Sequence, residues 1–154
     1  MYNPTALSTD RKRFRIARDE EFIRAYNEAL SLMIRRGVAH PRRSAIRFTI
    51  YNTQPRYHVS FERAYVVVCR LLRLPVKPVP QTLRGQMWLE IADRVAMLVD
   101  DRQVSIAAAL EFVLANCRAS RFFVSEQYAD SRIDAMRRHQ ARHLRKPLTR
   151  HSNH

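Results

Sequence analysis

The sequence predicts an all-α protein of two tandem three-helix repeats, helix-turn-helix-like in plan, with basic extensions at both ends. Three observations predict it. Only two glycines occur, Gly37 and Gly85, too few for the tight turns that hairpins require. Apolar residues recur at three- and four-residue spacing along several segments, the period of a helix with one buried face. Finally, Arg56-Tyr57-His58-Val59-Ser60 returns 65 positions later as Arg121-Phe122-Phe123-Val124-Ser125. With one gap the match extends upstream through Phe48/Phe112, Ile50/Leu114 and Asn52/Asn116. It continues downstream through Ala64/Ala129 and Arg73/Arg138, giving seven identities between Phe48 and Arg73. The expected organisation is a basic arm over 1–17, a basic helical repeat over 18–73, a proline-rich linker over 74–80, a second repeat over 81–143 and a basic tail over 144–154. A repeat of that size is marginal as an independent folding unit, so the two copies are expected to pack on each other.

Each element has its own warrant. The arm carries Arg11, Lys12, Arg13 and Arg15 with little apolar periodicity, and is expected to be ordered only by an anion. Asp19, Glu20 and Glu21 then supply acid for a helix N-terminus, and Phe22, Tyr26, Ala29, Leu30 and Met33 form its apolar stripe. Gly37 ends that helix after Arg35 and Arg36. Pro41 opens a connection, and Ser44 is the expected cap of a short second helix over Ile46 to Asn52. Pro55 keeps the following stretch extended, and Ser60 caps a third helix through Phe61, Ala64, Tyr65, Val68 and Leu72. Pro75, Pro78 and Pro80 stiffen the linker. In the second copy Thr82 caps a helix with Met87, Trp88, Ile91, Val95, Leu98 and Val99 on its apolar face. Ser105 then caps Ile106 to Asn116, and Ser125 caps Tyr128 to about Arg142.

The net charge of +14 points to a polyanionic partner, because Lys and Arg that neutralise phosphates release condensed counterions. Of the 28 basic residues only Lys12, Lys77 and Lys146 are lysine, and guanidinium forks suit phosphate and guanine. A coding bias toward arginine gives the same composition, so the placement of charge carries more of the argument. From Ala29 to Leu89 there are 11 basic residues and one acid, Glu62, whereas from Glu90 to Asp134 eight acids face five arginines. The first copy is therefore expected to carry a nucleic-acid face, and the second to scaffold it or meet protein. The candidate contacts are Arg35, Arg36, Arg42, Arg43, Arg47, Arg56, Arg63 and Arg70, joined by Arg137, Arg138, Arg142 and Arg145 near the C-terminus. Arg56, beside a helix N-terminus, suits either a phosphate or a neighbouring carbonyl.

Other chemistries find little support. Cys69 and Cys117 hold no metal-ligand spacing and read as buried thiols. His139 and His143 lie four apart on one helical face, with His151 and His154 beyond, but flanking arginines oppose a dication and no carboxylate or cysteine lies at ligand spacing. Nucleophile-elbow and zinc-protease motifs do not occur, and Asp130/Asp134 and Glu90/Asp93 read as surface pairs rather than catalytic dyads. Neither a cofactor nor a metal is expected, and the chain is expected not to be an enzyme. No apolar run approaches the roughly 20 residues of a membrane span. A soluble, intracellular (cytoplasmic) protein, or one carried in a virion, is expected.

The Arg-aromatic-x-Val-Ser turn opening a helix resembles a motif in small basic proteins encoded by phages and mobile elements of gut bacteria. The resemblance transfers no functional residue. It implies a DNA-handling accessory rather than a metabolic enzyme, with packaging or regulation as the setting and DNA favoured over RNA. The competing expectation is a structural or protein-interaction component of a virion or ribonucleoprotein particle. In that case Met87, Trp88 and Met97 of the second copy form the protein contact or self-association surface.

Overall fold

Between Thr5 and Arg36 the sequence contains no glycine or proline, and a single helix, α1 (Pro4–Arg35), occupies the stretch. At 32 residues it is about 48 Å long. The segment expected as an arm outside the helical body is thus the first half of α1 from residue 4 on. Once a helix is nucleated, good helix formers such as Ala, Leu, Arg and Lys propagate it without an apolar stripe. The computed structural model describes residues 4–145, with side chains from Asp10 onward; Met1 to Asn3 and the tail residues Lys146, Pro147, Arg150, His151 and His154 lie outside them.

Among the described residues the chain is all-helical, with six helices and no strand. After α1 come α2 (Pro41–Asn52), α3 (Phe61–Arg73), α4 (Leu83–Arg102), α5 (Ile106–Asn116) and α6 (Glu126–Leu144). The cap chemistry explains most boundaries. The hydroxyls of Ser60, Thr82, Ser105 and Ser125 accept hydrogen bonds from the backbone N–H of Arg63, Gly85, Ala108 and Tyr128, each three residues on. Gly37 ends α1 at φ 66°, where its N–H donates to Ile34 and that of Val38 donates to Met33, the paired bonds of a Schellman ending. The start of α2 differs from expectation. It begins at Pro41, whose missing N–H costs nothing in a first turn, and Ser44 lies inside the helix rather than capping it.

The core is in two parts, and neither follows the division of the chain at 74–80. One cluster takes Phe22, Tyr26 and Ala29 from α1 and Ala45, Ile46 and Ile50 from α2. It is completed by Phe122, Val124, Ala129 and Ile133 from the far end of the chain. The other takes Trp88, Ile91, Ala92 and Val95 from α4 and Ala109, Leu110 and Val113 from α5, together with Tyr57, Ala64 and Val68 from the first half. So α1 and α2 pack with α6, while α4 and α5 pack with α3. Burying Tyr57 in one core and Phe122 in the other stabilises α3 and α6 in their places by roughly 1.5–3 kcal/mol per side chain.

The segments 53–60 and 117–125 carry the chain between the cores, and they run against each other. Ala119 N–H donates to Pro55 O at 2.7 Å and Phe122 N–H to Ile50 O at 3.0 Å. Pro55, which cannot donate, contributes its carbonyl and is buried there. Among the described residues no helix is long and apolar enough to cross a membrane.

Candidate functional site

Two carboxylates hold the crossing segments. Glu21 of α1 accepts the backbone N–H of Arg56 at 3.2 Å and Nε2–H of His58 at 2.5 Å, and lies 3.6 Å from the Arg118 guanidinium. Glu90 of α4 accepts the N–H of Ser120 at 3.1 Å. Arg94, one helical turn on, donates to the Tyr57 hydroxyl at 2.6 Å and to the carbonyl of Arg118. Burial, then the Glu90 charge, raises the Tyr57 phenol above its ordinary pKa, with Arg94 opposing. A third acid, Asp19, is buried on α1. It accepts from Arg18 at 3.2 Å and from the Tyr128 hydroxyl at 2.9 Å, and Arg132 Nε lies 3.1 Å away, so α6 is clamped to α1 by charge as well as by packing.

This corrects the role expected for the acids at 19–21. They were expected to serve the positive end of a helix dipole, but α1 starts at Pro4, which places them in mid-helix. Their partners come from positions as distant as Tyr128 and Arg132, and no local pattern reveals such pairing.

The twelve candidate arginines fall into two groups. Arg42 and Arg47, on α2, are ion-paired to α6: Arg42 reaches Asp130 at 2.8 Å and Asp134 at 2.9 Å, and Arg47 reaches Glu126 at 3.1 Å. The bonds to Asp134 and Asp130 raise the Arg42 pKa, although partial burial opposes them. These two arginines dock the acid-rich helix onto the basic half. The remaining ten, Arg35, Arg36, Arg43, Arg56, Arg63, Arg70, Arg137, Arg138, Arg142 and Arg145, are exposed and have no carboxylate partner among the described residues. Three of them lie on α6 beyond Ile133, with Arg145 just past its end, and after Ile133 no described residue is buried. Arg11, Lys12, Arg13 and Arg15 on the first half of α1 are exposed as well.

Arg56 and Arg121 occupy the same slot of the sequence repeat and different surroundings. The Arg56 side chain is exposed. Arg121 is half-buried, donates to the carbonyls of Phe122 at 3.0 Å and Val124 at 3.4 Å, and lies over the rings of Tyr51 and Phe123. The carbonyl-capping role is therefore that of Arg121.

Arg84 of α4 was not among the candidates. It lies 5.5 Å over the Trp88 ring, and makes no ion pair among the described residues. Partial desolvation and then the neighbouring charges of Arg63, Arg11 and Arg18 lower its pKa, so four guanidiniums from α1, α3 and α4 share one region. Sequence spacing does not bring them together; tertiary packing does.

Of the surface expected for protein contact, Trp88 is buried at 7% exposure and Met87 packs half-buried against the same core, which leaves Met97 exposed. Cys69 and Cys117 are half-buried thiols. His139 and His143 face each other with 3.0 Å between their Nε2 atoms on the exposed part of α6. Among the described residues no three His, Cys, Asp or Glu are grouped to hold a metal ion.

Two depressions among the described residues differ in the charge that lines them. A groove of about 500 Å³ between the N-terminal ends of α2 and α6 mixes Arg42 and Arg43 with Glu126 and Asp130. A smaller crevice of about 190 Å³, between the crossing segments, is lined by Arg18, Arg56, Arg84, Arg121 and His58 among apolar residues, with no carboxylate. Comparison of the chain with protein-family models, with curated proteins and with solved structures finds no match.

Proposed function

We propose that this chain is a non-enzymatic nucleic-acid-binding accessory protein, favouring DNA, that serves packaging or regulation for a phage or mobile element from within the cell or the particle. One observation carries the reading: ten of the twelve candidate arginines are exposed without a carboxylate partner among the described residues. Acids are present to neutralise them, but Glu126, Asp130 and Asp134 are engaged with Arg47 and Arg42 at the α2–α6 contact. The unpaired charge repels itself until a polyanion lies against it. Arg11, Lys12, Arg13 and Arg15 on the exposed stretch of α1 supply further positive charge along a phosphate backbone.

We also infer that the two halves are copies of one helix, helix, turn, helix unit that exchange their third helices. Repeat-matched residues support this by lying in opposite clusters: Tyr57 and Phe122, Val59 and Val124, Ala64 and Ala129. The third helix of such a unit is the one that trihelical DNA-binding proteins lay in the major groove, and α3 carries Arg63 and Arg70 exposed.

The test is a fluorescence-anisotropy titration against duplex DNA across a salt series. With six or more phosphates contacted, the logarithm of the association constant should fall against log salt with a slope of about −5 or steeper. Affinity indifferent to salt would overturn the reading. A second reading, an assembly component, draws on exposed apolar residues outside both cores, Phe61 and Tyr65 stacked on α3 and Val76 and Val79 in the linker. Sedimentation without nucleic acid separates the two, because a stable oligomer favours the assembly reading and a monomer that binds DNA favours the first.

A further inference from the structure

We propose that the crevice between the two crossing segments is a phosphoryl-binding site, in which Arg56 and Arg84 take a tetrahedral phosphate while Arg18 and Arg121 supply a fixed positive field. The proposal rests on the nucleic-acid reading and deepens it, by naming a point at which one phosphate of a bound strand is seated. Four guanidiniums and His58 line a space of about 190 Å³ that no carboxylate enters, in contrast to the larger α2–α6 groove, where Glu126 and Asp130 stand beside the arginines. The four arginines are not equivalent. Arg18 is held by Asp19 and Tyr128, and Arg121 by two backbone carbonyls, so neither is free to fold away. Arg56 and Arg84 have no side-chain hydrogen bond or ion pair among the described residues, which leaves their donors for a ligand. Arg63 and Arg11 add charge close to Arg84. Two guanidiniums without a carboxylate partner, Arg56 and Arg84, at one concave point attract an oxyanion, and their forks match its geometry. The crevice also joins residues that lead into opposite cores, so an occupant ties the two cores together.

The site is tested on the full chain with inorganic phosphate at millimolar concentration, against sodium chloride of equal ionic strength, by thermal denaturation. Arg56→Gln and Arg84→Gln remove charge but keep a side-chain stem; Arg102→Gln, exposed at the end of α4, is the charge-matched control. Expected is a phosphate-specific rise in Tm for the wild type and Arg102→Gln, lost in the other two. No phosphate-specific rise in the wild type, or an equal rise in all four proteins, overturns the site. A DNA titration identifies the source of the phosphate. If it belongs to the strand, each crevice variant lowers the salt slope by about one and phosphate competes with DNA. If the variants abolish the phosphate effect and leave DNA affinity unchanged, the site stands for free phosphate and its place in the strand interface is overturned. Failure of the chain to bind DNA at all, with the phosphate effect intact, would overturn the nucleic-acid reading and leave the site standing. Salt-dependent DNA binding without the phosphate effect would do the reverse.

Discussion

The slot shared by Arg56 and Arg121 tests function against structure at single residues. Arg121→Ala removes two carbonyl contacts and the stacking over Tyr51 and Phe123, and should cost about 1–2 kcal/mol in urea denaturation while lowering DNA affinity less than Arg56→Ala does. Arg56→Ala removes an exposed side chain, so its stability should stay within about 0.5 kcal/mol while its salt slope for DNA flattens by about one. Equal binding losses in the two variants would show that the slot acts alike in both halves. The tyrosines add a test by pH. Burial raises the pKa of Tyr57, as does the charge of Glu90, and burial raises that of Tyr128, as does its bond to Asp19. The folded state therefore holds these protons more tightly than the unfolded state, where phenols titrate near pH 10. Their contribution is complete below about pH 10 and declines as pH rises further. The urea midpoint should hold steady from neutral pH to about 9.5 and then fall, less steeply in Tyr57→Phe.

At the scale of the element, four side-chain caps explain four helix starts. Ser60→Ala and Ser125→Ala should each lose about 1 kcal/mol, because the Arg63 and Tyr128 amides are left without their acceptor. A much smaller loss, measured by chemical denaturation, would mean that water serves these amides equally well. The Arg42–Asp130–Asp134 and Arg47–Glu126 contacts lie between α2 and α6 at the surface, where each pair contributes at most about 1 kcal/mol. Their larger effect is on charge. Asp130→Asn together with Asp134→Asn frees Arg42, and should tighten DNA binding at low salt without adding any residue to the interface. The basic stretch of α1 shows how an element escapes a periodicity argument: without an apolar stripe it reads as an unordered arm, yet it continues a helix nucleated and buried farther along.

For the molecule as a whole, the packing of α3 with α4 and α5, and of α6 with α1 and α2, makes the two cores interdependent. Neither half of the chain contains a complete core, so damage to one should destabilise both. Phe122→Ala opens a cavity in the α1–α2–α6 cluster and should cost about 3–5 kcal/mol. The loss should be visible at Trp88, which lies in the other cluster. Trp88 fluorescence and far-UV circular dichroism should report a single coincident transition with a lowered midpoint. A Trp88 transition that stays at the wild-type midpoint while the circular dichroism shifts would show two cores that unfold independently.

The sequence by itself determined the helical class, five of the six C-terminal helix boundaries to within a few residues and all four side-chain caps, because each depends on residues within one or two turns of chain. Ten of the twelve arginines it singled out are exposed without a carboxylate partner among the described residues, since a charge without a local partner usually remains at the surface. Tertiary structure alone decided that α3 packs with α4 and α5 and that α6 packs with α1 and α2, since sequence order does not choose between the clusters. It decided as well that Arg42 and Arg47 pair with α6, that Asp19 and Glu21 act as clamps, and that Arg84 joins Arg56 at the crevice. Each of these links residues tens of positions apart, and such distances are fixed by how helices pack rather than by any local pattern.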